Sequence, residues 1–209
     1  MSRRGLLGGI GAGAVGLVLL AVVVGRRTST EAPPSAPPVS APAAPVFHEQ
    51  LEGGHYRNAD LRISVRAPEG WNGSLGDRSQ DRDPYEGLVV KMTPTAGAAE
   101  SGMLQPFVTV VKRTLPAQAP RDPLAYIARE VLTPEKNVTE PPSVITLCGR
   151  PAGRVGFQVG SGPRALRVIQ IVYLSPDQAI VVTATAPTGA FDGWREKFEQ
   201  VFNSVKLES

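Results

Sequence analysis

Residues 165–186, ALRVIQIVYLSPDQAIVVTATA, decide the fold of this chain. Two apolar runs, rich in β-branched residues, flank the Ser-Pro-Asp-Gln tetrapeptide at 175–178, which has turn chemistry. Because this connection is too short for a crossover helix, the two runs are predicted to be antiparallel strands. Consecutive apolar residues at 168–169 and 180–182 indicate that the centre of the sheet is covered on both faces.

The same pattern continues through most of the chain after residue 46. Turn sequences at 148–151 and 160–163 join further β-rich runs, so the strands should follow one another as a meander. Residues 61–66 alternate apolar and polar side chains, which predicts a strand with one solvated face. The predicted strands are 61–66, 88–92, 107–111, 144–147, 153–159, 165–174 and 179–186.

Two helices are predicted to cover this sheet. Asp122 and Pro123 provide an N-cap and a first helical residue, and apolar residues follow at helical spacing: Leu124, Ile127, Ala128 and Val131. A last helix, 189–203, carries a wide apolar stripe that includes Trp194, which we interpret as a core residue. The predicted class is therefore α+β, a mostly antiparallel meander sheet with helices on both faces.

An uncharged stretch rich in Leu, Val, Ala and Gly, residues 5–25, precedes the domain and is bounded by arginine pairs. As a helix it spans roughly 30 Å, the thickness of the hydrocarbon core of a bilayer. A cleavable signal peptide is the main alternative, but its apolar region is shorter, about 7–15 residues, and ends in a small-x-small site. We predict a retained, single-pass transmembrane anchor at residues 1–27.

A linker is predicted between the anchor and the domain. Residues 28–46 hold six prolines among Ala and Ser and carry one charge, a composition that cannot bury a core. Such a segment forms a semi-rigid spacer that reaches up to roughly 60 Å at about 3.1 Å per residue. We expect it to hold the α+β domain, 47–209, outside the cytoplasm at the cell membrane.

Charge argues against a nucleic-acid partner. The formal net charge is +3, but residues 1–46 hold four arginines against one glutamate. The remainder therefore holds 18 of the 22 basic and 18 of the 19 acidic residues and is neutral. Binding to a phosphate backbone needs a clustered positive surface, which the sequence does not show.

Residues suited to catalysis are sparse. Only His48 and His55 offer an imidazole base; we expect His48 to be exposed and His55 to precede the first strand. No serine or cysteine lies in a nucleophile-elbow sequence. The single cysteine, Cys148, cannot form an intrachain disulfide, and we interpret it as a small packing or turn residue before Gly149. We therefore predict that the protein is not an enzyme and uses no cofactor.

Four acidic residues crowd one loop, and oxygen ligands of this kind suit calcium. Their spacing does not fit an EF-hand, and Arg78 and Arg82 lie among them. We favour a solvated, self-neutralising loop over a calcium site. The acidic residues are Asp77, Asp81, Asp83 and Glu86.

The candidate binding surface consists of arginines on neighbouring strands or turns of the predicted meander. Together they would form one electropositive patch for a partner. The alternative is that they are ordinary exposed arginines with carboxylates nearby. The four residues are Arg150, Arg154, Arg164 and Arg167.

The order of several landmarks resembles a known family. They are Ile63-Ser64-Val65 before Pro68-Glu69-Gly70-Trp71, then Leu147-Cys148-Gly149-Arg150-Pro151-Ala152, then Gln170-Ile171-Val172-Tyr173-Leu174, then 181–187 before an aromatic helix. This order is similar to the PsbP-like α/β/α sandwich family, and nearest to its bacterial envelope members, the DcrB-like and LpqN-like proteins. The family has no shared catalytic residues, so the resemblance implies a non-enzymatic adaptor or ligand-binding role. The chain lacks the lipobox cysteine of the bacterial lipoproteins.

These observations favour a membrane-tethered, extracytoplasmic binding or assembly module of the cell envelope, with an envelope protein as its partner. One alternative is a small-ligand or lipid binder with a pocket between sheet and helices. A second is a hydrolase that depends on His48 or His55.

Overall fold

The computed structural model describes residues 47–208 except 79–82, 84 and 96–103. No helix within these residues is both long and apolar enough to cross a bilayer. The predicted anchor, 1–27, and the predicted linker, 28–46, lie outside the described residues.

The described strands form two antiparallel sheets. In chain order they are β1 Glu49–Glu52, β2 His55–Asn58, β3 Ile63–Arg66, β4 Trp71–Leu75, β5 Gly87–Pro94, β6 Phe107–Thr114, β7 Asn137–Leu147, β8 Arg150–Val159, β9 Leu166–Leu174, β10 Gln178–Pro187 and β11 Lys206–Leu207. A seven-stranded sheet has the order β4-β5-β6-β10-β9-β8-β7, and a four-stranded sheet has the order β1-β2-β3-β11.

The predicted meander is confirmed, because β7 to β10 lie side by side in chain order and pair antiparallel. In the β7–β8 turn, Cys148 has a φ of 51° and Gly149 a φ of 75°, and a two-residue type I′ hairpin turn requires positive φ at both positions. The turn interpretation of Cys148 is therefore right, and its side chain is exposed.

One face of the large sheet shares an apolar core with the four-stranded sheet and with helix α2, Phe191–Ser204. The predicted stripe of this helix is buried at Phe191, Phe198, Val201 and Phe202. Trp194 is half-buried, and its ring packs edge-on against Trp71 with centroids 5.8 Å apart. The prediction of helical cover holds for this face.

The other face has the second predicted helical segment, which begins after Asp122 and ends at Val131. Helix α1, Pro123–Tyr126, continues as a single π-helical stretch, Ile127–Val131, and α1 contacts β7, β8 and β9. Asp122 caps α1 as predicted, accepting a hydrogen bond from the Ala125 backbone N–H at 2.8 Å. The helix lies close on Gly153 of β8, where a Cβ atom would stand 2.6 Å from Ile127 Cδ1.

Three predictions about strands were wrong. Strand β7 begins at Asn137 rather than at residue 144, because an edge strand tolerates the prolines at 141 and 142 that read as a loop. His55 lies within β2 rather than before the first strand. Ser64 of β3 is 6 % exposed rather than solvated, since β3 lies between two other strands and α2 packs against it.

Candidate functional site

The four predicted arginines lie in different places. Arg154 and Arg167 belong to the face of the large sheet that α2 covers, and both contact acidic residues. Arg150 stands at the other end of β8, opposite Leu147 beside the β7–β8 turn. Arg164 is exposed at the end of a short 3-10 helix, Gly162–Arg164.

Glu140 of β7 is the hub of the first group, which we call the Glu140 network. Its carboxylate lies 3.6 Å from Arg154, 3.3 Å from Arg167 and 2.5 Å from Arg195 of α2. The side chain crosses β8 at Gly156, where a Cβ atom would stand 2.9 Å from Glu140 Cβ. The absence of a side chain at Gly156 therefore provides the space that the Glu140 side chain occupies.

Two more carboxylates complete the Glu140 network. Glu199 accepts two hydrogen bonds from Arg154, at 2.6 and 3.1 Å, and Asp192 accepts one from Arg167 at 3.2 Å. Arg154 and Arg167 also stack on the rings of Phe202 and Phe191. Since α2 provides Arg195 and both of these acids, the network fastens this helix to the sheet, and its positive charge is matched by negative charge.

Arg150 belongs to a separate feature, a cleft where the two sheets meet, which we call the junction cleft. It has a volume of about 380 Å³. The β2–β3 turn and the carboxyl end of the chain, with Arg62 and Glu208, line one side. The ends of β8 and β9 and the β9–β10 turn, with Arg150, Tyr173 and Asp177, line the other.

Tyr173 holds the Arg150 guanidinium in the junction cleft. Nη1 of Arg150 donates a hydrogen bond to the Tyr173 hydroxyl at 2.6 Å, and the guanidinium carbon lies 5.9 Å from the ring centroid. The hydroxyl accepts this bond, so its own proton remains available for donation. The pair thus offers two kinds of donor at one point.

Arg62 has an unusual backbone. Its φ of 52° places a non-glycine residue in the left-handed region, a conformation that costs roughly 1–3 kcal/mol and often occurs at functional sites. The Arg62 carbonyl accepts a hydrogen bond from the Glu208 backbone N–H at 2.8 Å, which holds the turn in place. The strained residue is thus one that lines the cleft.

Neither cleft arginine forms an ion pair with a described residue, whereas Arg78, Arg154 and Arg167 all do. The cleft also has acidic residues, among them Asp60. Asp60 accepts hydrogen bonds from the Tyr85 hydroxyl at 2.6 Å and from His48, and the Tyr85 bond in particular lowers the pKa of its carboxyl.

The side-chain hydrogen bonds among the described residues join neither histidine ring to a hydroxyl or a thiol. His48 is exposed, and its Nδ1 lies 2.9 Å from Asp60. His55 lies in β2, where burial, and then the charges of Arg57, Arg66 and Lys206, lower its pKa. The polar contacts of His48 with described residues include no hydroxyl or thiol.

Sequence reasoning missed a buried polar network at the start of the domain. Glu49 of β1 accepts hydrogen bonds from Arg78 Nε at 2.7 Å and Nη2 at 2.6 Å, and the side chains are 6 % and 10 % exposed. The Tyr56 hydroxyl donates to the same carboxylate at 3.0 Å, and burial raises the pKa of Tyr56. Because these residues are far apart in sequence, no local pattern signals the contact.

Two described carboxylates of the acidic loop, Asp83 and Glu86, contact protein groups, whereas Asp77 is exposed. Asp83 pairs with Lys112, and Glu86 accepts hydrogen bonds from the backbone N–H and the hydroxyl of Thr114. Asp81 lies outside the described residues. In the part of the chain that is described, no three His, Cys, Asp or Glu side chains are grouped as a metal site would require.

Comparisons with known proteins identify the fold. Scans against protein-family models and curated proteins found no match. Among solved structures, cyanobacterial PsbP from Synechocystis sp. PCC 6803 is 12 % identical with a TM-score of 0.49, over 83 % of this chain and 100 % of that one. LpqN of Mycobacterium tuberculosis is 15 % identical with a TM-score of 0.51, over 70 % of this chain and 83 % of LpqN. The chain thus has a fold similar to that of LpqN, and the predicted resemblance to the LpqN-like proteins is confirmed at the level of the fold.

Proposed function

We propose that this chain is a cell-envelope protein that binds a partner through the junction cleft and carries out no chemistry on it. LpqN, whose fold is similar, is described as involved in cell envelope biogenesis, which supports the envelope assignment. The predicted anchor and linker agree with it, because they would hold the domain at a fixed distance from a membrane. An envelope protein is then the expected partner.

A single observation carries the choice of the junction cleft. Arg62 and Arg150 line it without an ion-pair partner among the described residues, and Tyr173 already fixes the position of one of them. A partially buried guanidinium held in one orientation loses less entropy when it binds, and its planar fork recognises acceptor pairs. The cleft is therefore prepared for a polar contact that the free chain does not supply.

The Glu140 network is a weaker candidate for the same role. A partner that bound Arg154 or Arg167 would have to displace the Glu140, Glu199 or Asp192 carboxylates and loosen α2. Of the four arginines predicted from sequence, Arg150 is thus the one we assign to binding.

The two alternative functions have less support. Phe191, Phe198 and Phe202, each 2 % exposed or less, fill the space between sheet and α2 where a lipid pocket was considered. A hydrolase would need a nucleophile beside His48, whose partner in the structure is Asp60.

Site-specific photo-crosslinking in intact cells tests the proposal. A photoreactive residue in place of Gln178, which lines the cleft, should give one discrete adduct in the full-length chain. The adduct should disappear when Arg150→Gln is added, because the cleft then lacks its fixed guanidinium. Gln200, exposed on α2, is the control position and should give no such adduct. The same adducts from both positions, or adducts that persist with Arg150→Gln, would contradict the proposal.

A further inference from the structure

We infer that the junction cleft takes an anionic group, a carboxylate or a phosphate, carried by the partner; this inference rests on the proposed function. Three residues that carry donor groups line the cleft, Arg62, Arg150 and Tyr173, and the Arg150 guanidinium contacts the Tyr173 hydroxyl directly. Anionic oxygens form stronger hydrogen bonds with such donors than neutral acceptors do. The volume of about 380 Å³ is in the range of small-ligand sites.

The geometry around Arg150 leaves most of its donors available. A guanidinium has five N–H donors, and the recorded hydrogen bond of Arg150 uses one, from Nη1 to Tyr173. That bond holds the guanidinium at the hydroxyl of Tyr173, with the guanidinium carbon 5.9 Å from the ring centroid. An anion can therefore accept from the remaining N–H groups and from the Tyr173 proton at once.

The cleft also has three carboxylates, Asp60, Asp177 and Glu208, but none of them forms an ion pair with Arg62 or Arg150. Both oxygens of Asp60 are taken, one by Tyr85 and one by His48. Asp177 accepts a hydrogen bond from the Ser175 hydroxyl at 3.3 Å, and neither it nor Glu208 lies within ion-pair distance of a described arginine. Because these carboxylates repel an anion, we expect the anion to lie directly against the Arg150 guanidinium and the Tyr173 hydroxyl. They are also placed to accept from a hydroxyl or ammonium elsewhere on the ligand.

Because the backbone of Arg62 is strained, one substitution can distinguish a role of this residue in binding from a role in stability. Asparagine tolerates a φ near +50° better than arginine does, so Arg62→Asn should leave the melting temperature unchanged or raise it. The same change removes a cleft guanidinium and should weaken anion binding. A residue that only supported the fold would not show effects of opposite sign.

The test is an NMR titration of the purified full-length chain with three probes. They are inorganic phosphate, acetyl-dialanine with a free carboxylate, and the same dipeptide as its amide. We expect at least one anion to shift the Arg150 side-chain resonances saturably and the amide to leave them unchanged. The anion that binds more tightly identifies the source as phosphate or carboxylate.

Variants establish the site. Arg150→Gln and Arg62→Asn should each weaken binding of the preferred anion at least fivefold, and Tyr173→Phe should weaken it by less. Arg164→Gln makes the same charge change at an exposed position away from the cleft and should alter affinity less than twofold. A melting curve for each variant shows that it is folded.

Two results would overturn the inference. One is an amide that binds as well as the free carboxylate and phosphate, and the other is an Arg164→Gln effect as large as that of Arg150→Gln. If anions do not bind but crosslinks from position 178 still depend on Arg150, the proposed function stands and the ligand class is wrong. If those crosslinks also fail to depend on Arg150, both proposals fail.

Discussion

Replacing Glu49 by glutamine should destabilise the domain strongly. Of the ion pairs among the described residues, Glu49–Arg78 is the most buried, with side chains 6 % and 10 % exposed. Breaking a buried pair from one side costs about 3–5 kcal/mol, because the remaining charge is left without its counterion. Glutamine keeps the shape and one acceptor oxygen, and Arg78 keeps its bonds to the Leu88 and Val89 carbonyls. We therefore expect the low end of this range, about 3 kcal/mol.

Thermal and denaturant unfolding of the full-length chain would measure this loss. For a domain of this size, 3 kcal/mol corresponds to a fall in melting temperature of about 6–12 °C. Glu52→Gln is the matched control, because it makes the same change at an exposed position of the same strand. It should alter the free energy of unfolding by less than about 0.5 kcal/mol.

A double variant separates the pair from its neighbours. If Glu49→Leu and Arg78→Met together recover most of the stability that either change alone removes, the loss came from an unpaired charge. Equal stability of Glu49→Gln and Glu52→Gln would refute the reasoning, since it would mean that the buried contact contributes nothing.

Two further predictions concern the Glu140 network and His55, which is partly buried. Gly156→Ala should lower the unfolding free energy by about 2–3 kcal/mol, because the added Cβ atom pushes Glu140 away from the arginines. Gly193→Ala is the control and should not destabilise the domain, because a Cβ atom at that position has no atom within 4 Å. Equal melting temperatures for the two variants would contradict this account. Since the pKa of His55 is lowered from 6.5 on folding, the unfolded chain takes up the proton first. The free energy of unfolding should therefore fall as pH drops through about 6.5 towards the pKa of His55 in the folded protein. In unfolding curves collected between about pH 7.5 and 5, His55→Gln should make this dependence of stability on pH less steep. An unchanged dependence would show that His55 does not cause it.

Local patterns predicted the parts of the fold that neighbouring residues determine. The turn at 175–178 set the pairing of β9 with β10, and the stripe from Phe191 to Phe202 set the buried side of α2. Each signal lies within a stretch short enough for periodicity and turn chemistry to act. Pro141 and Pro142 misled the prediction of β7, because whether a strand lies at a sheet edge depends on the whole topology.

The junction cleft shows the limit of sequence reasoning for function. Arg150 was identified because it follows a turn of the meander, but its companion Arg62 comes from the four-stranded sheet, which local patterns did not reveal. Nothing in the sequence marks Arg62 as left-handed, since that position would ordinarily suit glycine or asparagine. The pairing of Glu49 with Arg78 likewise depends on tertiary structure.

The proline pair in β7 also affects how the large sheet meets other polypeptides. Among the described strands, none pairs with the outer edge of β7, and an open row of amide and carbonyl groups of this kind can seed fibrous assembly. Neither proline has an N–H group to donate, and the register of β7 on β8 shifts between Glu140 and Ser143, so the strand is irregular where the prolines lie. An approaching strand would meet a gap midway along the border, and growth by stacking of copies is thereby discouraged at this edge.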